Sequence, residues 1–376
     1  MGHMNVYADN AATTKMDSEA AERMSYIMEH CGGNPSSLHS EGRNARLVIE
    51  DARKTIADII NCDSCEIYFT SGGCESNSWV INSFSGRGKK IITTETEHHS
   101  VINACRNANK CGTEVDYLPV NTVGTADCRL LRNCDRSDLV SVMSANNEIG
   151  TIQDIRGFAK EAHAKGAYFH TDAVQAVGHI EINVRDMDID LMSASAHKFN
   201  GPKGTGFLYI KEDVPVSPII YGGTQERGLR GGTENTAAVA GMAVALKNNI
   251  ANMAQNRNHI CRMENYVREF LKSRIPDARF NGDIENHIPG NISVSFRGIN
   301  GEAMLHLLDL KGICVSTGSA CNEGEDKISH VLEAAGVSSE YIKGTIRISI
   351  DKYNTMEEMV YMCTKLKEVY NILKNR

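Results

Sequence analysis

The sequence predicts an α/β fold, with a large domain built on a mostly parallel central sheet flanked by helices and a smaller α+β domain beside it. Three observations predict it. Short apolar runs alternate with helical stretches through the middle of the chain, a pattern that favours parallel strands covered on both faces. Beyond the middle the rhythm changes to shorter strand and helix units that read as a second compact piece. The 376 residues, 41% hydrophobic and 23% charged, are a globular composition long enough for two or three domains, or one large domain with a smaller partner.

Strands are expected at KKIITTE (89–95), EVDYLPV (114–120), DLVSVMSA (138–145), AYFHTDA (167–173), DLMSASA (190–196) and GFLYI (206–210). Among them DIRGFAKEAHAKG (154–166) has a helical pattern closed by a C-cap glycine. A long helical stretch, from about Glu234 to Ile275 and interrupted only by polar patches, reads as the bridge out of the large domain. Then follow strand NISVSF (291–296), helix EAMLHLLDL, strand ICVS, helix KISHVLEAAG, strand TIRISI and a final amphipathic helix. There are no repeats, low-complexity runs or Pro/Gly-rich linkers. A disordered tether is not expected.

No uncharged apolar run approaches the roughly 18 residues of a membrane span, and the start, MGHMNVYADN, lacks the basic and apolar regions of a secretory signal. A net charge of −7 argues against a basic nucleic-acid surface. The expectation is a cytoplasmic protein without membrane or direct nucleic-acid partners. In that setting twelve cysteines read as reduced thiols. Cys62-Asp-Ser-Cys65 has no second pair at zinc spacing and reads as a polar helix-to-strand turn; no metal is expected.

In parallel sheets ligands gather at the carboxyl ends of the strands, so polar residues just after strands carry the functional signal. Asp172 ends one strand in HTDAVQAVG, with Gln175 three residues on. Lys198 follows the next strand in SASAHKFNGPKGTG, after Ser195 and His197. A lysine that can form a Schiff base and an acid that can keep a pyridine nitrogen protonated are what pyridoxal phosphate needs. FTSGGCESNSWVI (69–81) adds a strand, a glycine turn and a helix start, whose free N–H groups and dipole suit a phosphate at Gly73 and Cys74. His98, beyond a strand in TETEHHSVI, can stack on a cofactor ring and move protons. Asn146 and Asn147, in SANNEIG, follow a strand where an amide can hold a cofactor or substrate oxygen. Each residue alone has a commoner structural explanation, as a helix cap, a turn former or a solvated charge; their combination carries the signal.

YADNAATT, GNPSSLHSEGR, FTSGGCESN, TEHHSV, NNEIGTIQD, HTDAVQAVG, SASAHKFNGPKG, RGGTEN, STGSAC and TIRISI occur in the order seen in cysteine desulfurases of the nitrogenase and iron–sulfur assembly type, which the chain resembles from Tyr7 to its last helix. The resemblance implies a fold-type I pyridoxal-phosphate enzyme, a homodimer whose active site lies near the subunit interface. It implies a large domain over residues 16–255 and a small one formed by 4–15 and 256–376, which carries the nucleophile loop. By resemblance Lys198 is the Schiff-base lysine, Asp172 the partner of the pyridine nitrogen, Gln175 that of the ring hydroxyl, and His98 the residue stacked on the ring. Gly73, Cys74, Ser195 and His197 match phosphate-site positions, and Thr233 a threonine that reaches the phosphate of the other subunit. Arg347 and Asn147 match the pair that holds the substrate carboxylate, a task suited to a bidentate guanidinium.

Cys321 in STGSACNEGED then matches the nucleophile. The implied chemistry has Lys198 take the Cα proton of L-cysteine, with His98 helping to move protons. Cys321 attacks the substrate sulfur as a thiolate, keeps it as a persulfide and releases alanine. A mobile loop is expected, because Cys321 must visit the cofactor and then an acceptor protein, either a cluster scaffold or a tRNA-thiolation enzyme. A selenocysteine lyase or another enzyme of the same class is the nearest alternative, and a non-catalytic scaffold the more distant one. Two departures from the pattern stand out. Cys74 replaces the usual threonine with a weaker donor. The acidic run Asn322, Glu323, Glu325 and Asp326 replaces small neutral residues, and is expected to raise the thiol pKa or to select a basic acceptor surface.

Overall fold

The computed structural model describes residues 4–317 and 328–375. After a two-residue strand β1 (Val6–Tyr7), helices α1 (Ser18–His30) and α2 (Ser40–Ile60) lead through a 3₁₀ turn at Ser64–Glu66 into β2 (Ile67–Thr70). The chain then runs α3 (Gly73–Ser83), β3 (Lys90–Thr94), α4 (His99–Lys110), β4 (Glu114–Leu118), β5 (Leu139–Ser141), α5 (Ile155–Ala164), β6 (Tyr168–Asp172), β7 (Leu191–Ser195) and β8 (Gly206–Ile210). These strands form one seven-stranded sheet in the order β2-β8-β7-β6-β5-β3-β4. Only β8 runs against the rest.

Successive strand residues point to opposite faces, so each strand must be apolar on both to be buried twice. Ile91, Leu139 and Leu191 pack with Trp79 of α3 and Val101 of α4 on one face. Their neighbours Ile92, Val140 and Met192 pack with Ile56 of α2 and Phe158 of α5 on the other. Helix α5 closes as expected, at Gly166 with φ of +72°.

The long helical stretch resolves into two helices, α6 (Thr236–Ala251) and α7 (Met253–Arg274), that meet at Asn252. Asparagine side chains compete with the backbone there: Asn252 Nδ2 donates to the Asn248 carbonyl, and Asn249 Nδ2 to the Phe199 carbonyl. Then come β9 (Ala278–Asn281), β10 (Asn291–Phe296), α8 (Gly301–Asp309), β11 (Ile313–Cys314), β12 (Ser316–Thr317), α9 (His330–Ala334), α10 (Ser339–Ile342), β13 (Thr345–Ser349) and α11 (Met356–Lys374). The expected strand ICVS divides at Val315. Its first half pairs in parallel with β1, and Ser316 begins the edge strand of a four-stranded antiparallel sheet, β12-β13-β10-β9. A separate core joins this sheet to α7 and α11, with Ile292, Val294, Ile346, Val267 and Met362 buried together.

Candidate active site

Parallel strands β3, β5, β6 and β7 end on the same edge of the large sheet, and the loops that leave them bring most of the expected residues together. Between β2 and α3 the chain turns at Gly72, whose φ of +145° excludes an ordinary side chain. A Cβ at Gly73 would lie 2.5 Å from Val174 Cγ2, and one at Gly72 3.3 Å from Ser195 Oγ. The backbone therefore passes close to the ends of β6 and β7, and α3 begins at Gly73 with its N–H groups directed toward that edge. Cys74 is exposed on the first turn, and Ser195 is buried. His197 bonds Thr13 Oγ1 through Nδ1 at 3.2 Å, and burial, followed by the charges of Lys198 and Lys203, pushes its pKa down to about 4.

Asp172 lies buried at the end of β6. Its Oδ1 accepts from the Val174 N–H at 3.0 Å and its Oδ2 from Asn77 Nδ2 at 2.7 Å. The same Asn77 nitrogen donates to Ser100 Oγ at 2.8 Å, and Ser100 Oγ lies 2.7 Å from His98 Nδ1. His98 caps α4, and its Nδ1 accepts the Ser100 backbone N–H. A backbone N–H can only donate, so the neutral ring carries its proton on Nε2. Burial lowers the pKa of His98, Asp172 opposes that shift, and Lys198 and His99 add to it. A neutral imidazole is the result at neutral pH.

Lys198 Nζ donates to the carbonyls of Ala11 at 2.6 Å and Ala12 at 2.8 Å, and Gln175 Nε2 donates to Ala11 at 3.0 Å. The N-terminal segment thus threads the site. It continues to Thr14, whose hydroxyl donates to the His197 carbonyl. In the other direction it reaches Arg347 of β13, which is only 4% exposed. Arg347 Nη2 pairs with Asp9 Oδ1 at 2.7 Å and Nη1 donates to the Asn147 carbonyl at 3.0 Å, while the buried Nε has no partner among the described residues. Asn147 therefore meets Arg347 through its backbone.

Thr233 is exposed in the single chain, on the loop before α6, which Arg230 ties to Glu75 in the first turn of α3 at 2.9 Å. Cys321 and the acidic run from Asn322 to Asp326 lie outside the described residues. None of the eleven described cysteines forms a disulfide; Cys62 precedes a short 3₁₀ turn and Cys65 lies within it. Sequence reasoning missed Asp9, Asn77 and Glu97. All three sit inside the quoted motifs, but their partners lie far away in the chain: Asp9 is 338 residues from Arg347, and Asn77 is 95 from Asp172.

The aminotransferase class-V family model matches residues 6–362, and the chain belongs to that family. It is 44% identical to cysteine desulfurase IscS of Dictyoglomus turgidum, over 98% of this chain and 95% of that protein. It is 43% identical to cysteine desulfurase IscS of Methanosarcina thermophila, over 98% and 93% of the two chains. Among solved structures a NifS-like protein superposes with a TM-score of 0.93 at 37% identity, over 98% of this chain and all 100% of that one. SspA in complex with cysteine superposes at 0.81 with 31% identity, over 93% and 100%.

The residues present fit pyridoxal phosphate. A helix N-terminus approached across two glycines suits its phosphate, a buried carboxylate already braced by two donors suits its pyridine nitrogen, and the Lys198 amine, whose charge acts on His98 together with that of Asp172, suits the Schiff base. A second acid also lies against the site. Glu97, next to His98, is fully buried; burial raises its pKa to about 8, although the Met143 N–H and Thr94 Oγ1 both donate to its Oε1.

Proposed function

We propose that this chain is a pyridoxal-phosphate-dependent cysteine desulfurase, which converts L-cysteine to L-alanine and carries the sulfur as a persulfide on Cys321. The observation that carries the reading is the joining of Lys198, Gln175 and Arg347 by one segment: Ala11 and Ala12 bind the first two and Asp9 the third. The names of the similar proteins support the substrate.

Bound at Asp172, Gln175 and the start of α3, the cofactor supplies an electron sink for the substrate's Cα. Arg347 binds the substrate carboxylate, and its rigid setting fixes the Cα relative to Lys198. Lys198 takes the Cα proton at Nζ, where the Ala11 and Ala12 carbonyls orient the amine. His98, neutral and protonated at Nε2, can stack on the ring and pass a proton. The Cys321 thiolate attacks the substrate Sγ, so that an S–S bond forms and the Cβ–Sγ bond breaks. The electron pair of that bond remains on Cβ, which takes a proton, and Lys198 returns a proton to Cα before alanine leaves. Sulfur, carbon and electrons balance without an outside oxidant.

The reading extends to a cytoplasmic homodimer, with Thr233 completing the partner's phosphate site, and to a protein acceptor such as a cluster scaffold or a thiolation enzyme. It includes the division into a large domain, 16–255, and a small one, 4–15 with 256–376. Separate cores on the two sheets support that division. Among the described residues no helix is long and apolar enough to cross a membrane.

Purified protein should be yellow and should form alanine from L-cysteine, with sulfide when a reductant is present. Cys321→Ser should keep the colour and lose the persulfide, whereas Lys198→Ala should lose the cofactor's visible band. A colourless parent, or full sulfide release by Cys321→Ser, overturns the assignment.

A further inference from the structure

Arg347 is already engaged by a carboxylate of its own chain. Its guanidinium is buried at 4% exposure and Asp9 is, among the described residues, the acid within ion-pair distance of it. The Asp9 side chain is 20% exposed against 5% for that of Arg347, so the carboxylate sits on the more open side of the pair. Asp9 cannot drift from this position, because its backbone is registered against Ser349, two residues beyond Arg347 on β13. Its carbonyl also accepts from the Ala12 and Thr13 N–H groups, which closes a tight turn. Glu148, which is buried, also feels the Arg347 charge. Burial lifts its pKa to about 7, the Ser329 hydroxyl and Arg347 oppose that rise, and its Oε2 is bonded to Ser329 Oγ at 2.5 Å.

We propose that Asp9 is a built-in competitor for Arg347, a positioning residue that sets how tightly the carboxylate of the amino-acid substrate and product is held. A guanidinium has five N–H donors, so an incoming carboxylate can add beside Asp9 at the donors left over. It then shares one positive charge with a second anion a few ångströms away, and is held less tightly than by a lone arginine. The consequence falls on turnover. L-Alanine keeps the carboxylate of L-cysteine, and an uncompensated Arg347 would retain the product as firmly as it bound the substrate. The proposal rests on the reading of Arg347 as the carboxylate anchor and deepens it.

The test compares L-alanine with L-alaninamide, which has the same shape without the negative charge. Binding to the cofactor-loaded enzyme is followed by calorimetry and by the cofactor absorbance. Asp9→Asn should tighten L-alanine on the order of tenfold, as loss of a like charge at short range and intermediate dielectric predicts, and leave L-alaninamide unchanged. Asp9→Glu, which keeps the charge, should stay near the parent. Should Asp9→Asn not fold, Asp9→Ser removes the same charge with a smaller side chain. Unchanged or weaker L-alanine binding, or an equal gain for both ligands, overturns the proposal. A parent that forms no alanine from L-cysteine overturns the functional reading itself, whereas a working parent without the alanine-selective gain overturns only the role of Asp9.

Discussion

Glu97 is buried beside the candidate site with one oxygen, Oε2, that meets no partner among the described residues. Desolvation without a counter-charge favours the neutral acid, which is why its pKa rises from 4.5 to about 8. The unfolded chain gives up this proton near the ordinary value, and the folded protein keeps it until the higher one. Between those limits the folded state binds more protons, so the contribution of Glu97 to stability is full below pH 4.5 and is lost as pH rises through about 8. Glu97→Gln has the same shape and no charge to desolvate. The variant should gain stability over the parent as pH rises from 5 to 8, by an amount on the order of 2 kcal/mol, read as a melting-temperature difference that widens with pH. A difference that stays constant would mean that the carboxyl is ionised throughout. Little of this was legible in the sequence. Lys198, Asp172 and His98 could be picked out because each stands at or within a few residues of a strand's carboxyl end. Glu97 stands in the same loop as His98, but only its burial, which no local pattern records, makes it unusual.

At the scale of elements, most of the chain announced itself through period and caps. The large-sheet strands lie within a few residues of the apolar runs that predict them, because burial on both faces leaves little freedom in where such a run can sit. The reversed direction of β8 was not legible, since direction is set by connection and packing rather than by the strand's own residues. Nor was the division at Val315, where two adjacent short strands serve different sheets. The last helix, α11, begins with a reciprocal capping box: the Thr355 side chain accepts from the Glu358 N–H, and the Glu358 side chain from the Thr355 N–H. Glu358 also accepts from Asn354 Nδ2, and Asn354 in turn donates to the Tyr7 carbonyl, so the cap braces the N-terminal segment near Asp9. Thr355→Ala should cost about 1 kcal/mol, the usual value for a lost N-cap, measured by denaturant midpoint. Glu358→Ala should not add its full cost in the double variant, since the two bonds belong to one unit. Strict additivity of the two losses would show that the cap acts as two separate contacts.

Several large apolar side chains among the described residues stand well exposed in the single chain. Leu38 is 90% exposed, Tyr221 85% and Leu47 66%. A polar cleft that contains Pro35, Arg46, Thr224 and Glu234 shows that the segments bearing these side chains come together in space. Thr233 stands beside Glu234 on the same loop, so a second chain docked on this face would receive that loop at its edge. Burial of large side chains of this kind contributes roughly 1.5–3 kcal/mol each, enough for a few of them to hold two chains together. The homodimer proposed above should therefore sediment at twice the mass of 41.2 kDa. Leu38→Glu combined with Leu47→Glu places charge where apolar contact is expected, and should shift the mass toward one chain while secondary structure is unchanged. Because Thr233 is proposed to complete the partner's phosphate site across the interface, the same variant should also lose cofactor affinity, read from the visible band after dialysis. A monomeric variant that keeps the cofactor as tightly as the parent would separate dimerisation from the site and leave Thr233 without the role proposed for it.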